Sequence, residues 1–186
     1  MKTLLSIVCI LVCICGCGIH FAADQPASGT VEITYVLHRT PTSGSNQVAV
    51  WVEDDDGNYV KSLYASKYAA DGGFKQRPDT LPEWVGISDW ENASPADVDA
   101  VSGATQSVGT QMVVWDLTDQ SGAPVSNGTY IYKIEGNISR TNRVVWQGRI
   151  DVGGKGNTSM AEGIYHPADV SNKGSLLEEV KAVYSP

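Results

Sequence analysis

No cysteine follows Cys17. The four in the chain, Cys9, Cys13, Cys15 and Cys17, all stand close to its start. The remainder therefore forms no disulfide, cannot bind zinc through thiolates and has no thiol nucleophile. Such a domain must hold together by its core alone, and the ~160 residues that remain are enough for one. Clustered positive charge is also lacking. The 13 lysines and arginines are scattered and the net charge is -8. Phosphate backbones need grouped cations, so nucleic acid is excluded as a partner. An acidic surface is also repelled by anionic headgroups, which leaves any membrane contact to an anchor. Histidine is scarce: His20, His38 and His166 show no metal-ligand spacing. Gly-x-Ser-x-Gly is absent, and nothing singles out catalytic partners for Ser102. The chain reads as a protein without a catalytic set and without a metal site.

Long apolar runs are missing too, save one. Leu4 to Cys15 is almost unbroken, follows Lys2, and is too short for a comfortable membrane span. It reads as a secretory signal. Cleavage after Ala23 would put Phe21 at a position that wants a small residue. Ile14-Cys15-Gly16-Cys17 fits the lipoprotein pattern, in which an apolar residue and small ones precede a cysteine that becomes lipidated. Ordinary cleavage near Gly18 or Ala23 is the alternative. The expected organisation is a signal over residues 1–17 with Cys17 as the lipid-bearing residue, a tether over 18–29, and one domain over 30–186. The expected location is the periplasm or cell envelope.

Beyond the tether the pattern has period two. Val31 to Leu37, Val48 to Val52, Tyr59 to Tyr68, Thr110 to Leu117, Thr129 to Glu135, Arg143 to Val152 and Leu176 to Tyr184 each suit a strand. The last alternates poorly and also admits a short helix; the β-prone Val183-Tyr184 and the little length left for a helix favour the strand. Asp54-Asp55-Asp56-Gly57-Asn58 is a hairpin signal. About seven short strands separated by turns predict an all-β fold, an immunoglobulin-like antiparallel β-sandwich. Trp51, Val114, Trp115, Ile131 and Ile134 are its expected core. Residues 71–104 carry Gly72-Gly73, Pro78, Pro82 and Pro95, with Trp84 and Trp90 between them, and predict one long irregular excursion at one end of the sandwich, with a short helix near residues 83–89. The run Glu53-Asp54-Asp55-Asp56 offers carboxylates for calcium or, more simply, a solvated hairpin tip.

Three resemblances narrow the reading. Val114-Trp115-Asp116-Leu117-Thr118-Asp119-Gln120-Ser121-Gly122 with Gly128-Thr129-Tyr130 resembles the Ig-like module of flagellar hook-capping proteins. Val48 to Asp54, Val60-Lys61-Ser62-Leu63, Arg77 to Trp84, the segment 99–105 and the Trp115 hairpin together resemble predicted periplasmic proteins catalogued as domain of unknown function 2271. Asp99-Ala100-Val101-Ser102-Gly103-Ala104-Thr105 resembles the attachment motif of subunits that carry covalent FMN.

That last likeness implies a flavin transferase as partner, FMN as cofactor on Thr105, and membrane redox proteins as electron donors and acceptors. In it, Ser102, Gly103 and Ala104 are small so that the backbone enters the transferase, and Asp99 docks on that enzyme or its metal. Trp84 and Trp90 then either shield the flavin ring or cover the core. Without flavin, the chain reads as an accessory or ligand-binding Ig-like module.

Overall fold

A computed structural model describes residues 25–39, 46–139, 141–169 and 176–186. Cys17, His20 and the signal lie outside the described residues. Two sheets face each other. One has the order β5-β1-β10-β8, from β1 (Thr30–Leu37), β5 (Gly109–Trp115), β8 (Asn157–Met160) and β10 (Leu177–Ser185). The other has the order β4-β3-β2-β6-β7-β9, from β2 (Gln47–Asp54), β3 (Tyr59–Ser66), β4 (Ser102–Gly103), β6 (Gly128–Ser139), β7 (Asn142–Val152) and β9 (Glu162–His166). Among the described residues every strand pairing is antiparallel except the short β3–β4 contact. The chain is an all-β sandwich, as expected, and its last segment is a strand.

The inter-sheet core takes Ile33 and Tyr35 from β1, Val48, Val50 and Val52 from β2, Tyr132 and Ile134 from β6, and Val180, Ala182 and Tyr184 from β10. Alternation then sends Ala49, Trp51 and Glu53 to the opposite face of β2, where they are buried as well. The unbroken run Val48-Ala49-Val50-Trp51-Val52 thus belongs to a strand covered on both sides, where no polar face is needed.

The cover is the excursion. It lies over the six-stranded sheet rather than projecting from one end, and the expected short helix near residues 83–89 is present within it. After α1 (Lys67–Ala70) it forms α2 (Pro82–Ile87), α3 (Pro95–Val101) and two 3-10 turns. Phe74, Leu81, Trp84, Trp90 and Val101 pack on Ala49, Trp51, Ala65 and Val145 of the six-stranded sheet. A sheet face this apolar must be covered, and these short elements bring large side chains to it.

Two expected core residues are corrected. Val114 is 47% exposed, and Ile131 is only half-buried. Trp115 and Ile134 are fully buried, so strand parity turns Val114, one residue before Trp115, and Ile131, three residues before Ile134, away from the core. Val114→Thr is accordingly expected to change the unfolding free energy by no more than about 0.5 kcal/mol in urea denaturation. A larger loss would place Val114 inside after all.

Residues 25–29, at the end of the expected tether, are bonded to the sandwich. Ala27 N–H donates to Val125 O at 2.7 Å, Asn127 N–H donates to Gln25 O at 2.9 Å, and the Tyr184 hydroxyl donates to Ser28 O at 2.8 Å. Gly29, at a φ of +99°, passes so close to Ser185 that a Cβ would stand 2.1 Å from its carbonyl oxygen.

Candidate functional site

The segment 99–105 is built from a capped helix, a strand fragment and a loop. Ser94 and Asp97 form a reciprocal capping box, Ser94 Oγ accepting from Asp97 N–H at 3.2 Å and Asp97 Oδ2 from Ser94 N–H at 3.1 Å. Pro95 follows at the first helical position, where its missing N–H costs nothing. Val101 ends α3 buried among the excursion's apolar side chains. Ser102 and Gly103 then pair with Ala65 and Ser66 at the end of β3. The Tyr64 ring lies against Gly103: a Cβ there would come within 2.3 Å of the ring carbon Cε2. Only glycine allows that approach.

Ala104 and Thr105 follow in a loop without regular structure, and both are exposed. The Tyr64 hydroxyl donates to Ala104 O at 2.9 Å, and the Tyr35 hydroxyl donates to Gln106 Oε1 at 2.6 Å. Thr105 stands between these two fixed points. Asp99 is exposed on α3 and makes no hydrogen bond or ion pair with Thr105. Its charge acts instead on Lys67, whose ammonium is held above its ordinary range first by its hydrogen bond to Asp71 and then by the nearby carboxylates.

Ala96, Asp97, Ala100 and Val101 of α3 line a groove of about 470 Å³ with Lys61, Leu63, Val114 and the 120–122 turn. Hydrogen bonds from Ser94 and Gln120 hold the Asp97 carboxyl below its usual range. Neither Asp99 nor Thr105 lines this groove.

The two tryptophans cover the core. Trp84 is fully buried and Trp90 nearly so, their ring centroids 4.7 Å apart. Trp84 Nε1 donates to Ser62 Oγ at 2.8 Å and Trp90 Nε1 to Ala70 O at 3.1 Å. Neither ring is open to a flavin. The acidic run is a hairpin tip only in part. Asp54 Oδ1 accepts the N–H groups of Asp56 and Asn58 and closes the turn, while Asp55 pairs with Arg149. Glu53 is buried, not solvated, and accepts from Trp51 Nε1 at 2.7 Å. Among the described residues no three acidic, histidine or cysteine side chains are placed to hold a metal ion. His38 pairs with Glu178 at 3.0 Å.

A polar system under the excursion escapes sequence reading. Lys133 on β6 bridges Glu53 and Glu83 at 3.1 and 3.0 Å. Burial works against its charge, but its hydrogen bonds to Glu83 and Glu53 carry the ammonium above its ordinary value. Glu135, two residues on, is fully buried and accepts the Trp84 N–H at 2.9 Å, at the start of α2. Arg143 Nε lies 3.2 Å from its other oxygen, an ion pair without hydrogen-bond alignment. Desolvation raises the Glu135 carboxyl to about 7, against the pull of the Trp84 N–H. Lys133 and Glu135 stand opposite the buried Trp51 and Ala49 on β2, a pairing the sequence does not reveal.

Register places Thr105 relative to the chain's entry. Thr30 pairs with Ser185 at one end of the sandwich, and Leu37 pairs with Gly109 at the other. The Thr105 loop runs from β4, beside Ser66, to Gly109, and so lies at the end remote from Gly29. The length of β1, about 25 Å at the usual rise per residue, separates the two. No curated protein and no solved structure matches the chain. Residues 30–165 match the family described as predicted periplasmic protein, domain of unknown function 2271, and the chain belongs to that family.

Proposed function

We propose that this periplasmic protein carries FMN in phosphoester linkage to Thr105 and serves as an extracytoplasmic electron carrier. The observation that carries the reading is the exposed Thr105, which follows three small residues and lies beyond a glycine that admits no Cβ. A transferase can approach such a residue without unfolding the sandwich. Thr105 Oγ attacks the FMN-side phosphorus of FAD, held by the transferase and its magnesium. The Oγ–P bond forms as the bond from that phosphorus to the bridging oxygen breaks. AMP leaves, and the hydroxyl proton passes to a base of the transferase. Asp99, exposed one helical turn before β4, is the docking carboxylate for that enzyme or its metal. Bound FMN supplies reversible electron transfer between partner proteins, and the chain itself contributes position. With Cys17 lipidated, the sandwich is anchored through the end at Gly29. The anchor then keeps the sandwich near the membrane redox proteins with which the flavin exchanges electrons.

Co-expression with a secreted flavin transferase tests this. A denaturing gel is expected to show a fluorescent band of this chain, lost in Thr105→Ala. If a control substrate is labelled and the wild type is not, the carrier reading fails. The groove beside α3, with Lys61 and Asp97 at its wall, then becomes the site of a ligand-binding module.

A further inference from the structure

We infer that Tyr35 and Tyr64 are positioning residues for the modification of Thr105: one tyrosine from each sheet clamps the acceptor loop and presents the hydroxyl between them. This rests on the reading of Thr105 as the acceptor. The loop passes from β4, in the six-stranded sheet, to β5, in the four-stranded sheet, and so crosses the open edge of the sandwich. Without attachments a segment of this kind samples many conformations. Tyr64 stands on β3 of the first sheet, and its hydroxyl holds the Ala104 carbonyl at 2.9 Å while its ring rests on Gly103. Tyr35 stands on β1 of the second, and its hydroxyl holds Gln106 Oε1 at 2.6 Å. The residue between the two holds is Thr105, whose own hydroxyl makes no hydrogen bond to the described residues.

The clamp has a suitable chemistry. Burial raises both phenols above their ordinary range, so both remain protonated donors near neutral pH. Tyr35 is 1% exposed and cannot swing to solvent. Gly103 also acquires a role within this fold, since a larger residue would displace the Tyr64 ring and break its hold on Ala104. A presented conformer that is already dominant spares the transferase the selection of a rare one, which would appear as weaker apparent binding.

The test is steady-state kinetics of flavin transfer from FAD, with wild type, Tyr64→Phe, Tyr35→Phe and the double variant as acceptor proteins. Phenylalanine keeps each ring and removes only the hydroxyl. Each single variant is expected to raise the transferase's KM for the acceptor by about 3- to 10-fold, the range expected for one hydrogen bond, with kcat within about twofold. The double variant should show a larger rise than either. Loss of folded protein would instead lower the final extent of labelling and the thermal midpoint, leaving the KM of the folded fraction in place. An unchanged KM in correctly folded variants overturns the clamp, as does a lower one, which would mean that the free loop is the better acceptor. A wild type that accepts no flavin while a control substrate does would end both the clamp and the carrier reading.

Discussion

Trp51→Ala is expected to lower the unfolding free energy by about 3–5 kcal/mol, the range for deleting a buried aromatic side chain. Trp51 is fully buried on the outer face of β2, within the cluster that joins the excursion to the sheet. Removing it leaves a cavity there and takes the Nε1 donor from the buried Glu53. Lys133, 5.9 Å from the ring centroid, loses its aromatic neighbour as well. Urea denaturation measures the loss, and Trp51→Phe, which keeps most of the ring, should cost less. A loss under about 1 kcal/mol in the alanine variant would mean that the excursion is not docked on this face.

The second large effect depends on pH. Glu135 has its carboxyl raised from 4.5 to about 7 in the fold. The folded state therefore binds this proton more tightly than the unfolded chain does. Stability from this group is fully present below about 4.5 and is lost as pH rises through about 7, a difference of about 3 kcal/mol. Asp54, Asp97, Asp116 and Asp119 are shifted the other way, so their contributions are lost as pH falls below the ordinary aspartate value of 3.8. The two windows place maximal stability at about pH 4 to 5. Glu135→Gln keeps an oxygen for the Trp84 N–H and removes the titration. Its unfolding free energy should stay nearly level between pH 5 and pH 8, where that of the wild type falls. Parallel profiles for the two proteins would show that the buried carboxyl carries no such strain.

Much of the architecture was legible because strands announce themselves by period two and by turn residues. The turn at Asp54 and Gly57 and the strands at Val31 and Arg143 follow from local chemistry alone, whereas the segment at Leu177 reads as strand or short helix until β1 pairs with it. The short strands β8 and β9 were missed: Asn157-Thr158-Ser159-Met160 has no apolar alternation, and its pairing is supplied by β10. Apolar character alone does not tell which of Val114 and Trp115 faces inward, and Trp115 takes that place.

The sequence by itself determined the strand-rich class, the disulfide-free core, the family and the run of small residues before Thr105, since each depends on residue type and spacing along the chain. Tertiary structure alone decided that residues 71–104 roof a sheet, that Trp84 and Trp90 are spent on that roof, and that Glu135 caps α2. It also decided that Tyr35 and Tyr64, 29 positions apart, meet at Ala104 and Gln106. Those outcomes depend on which strands become neighbours and which face each turns inward. Such pairings join residues far apart in the chain, and no local pattern encodes them.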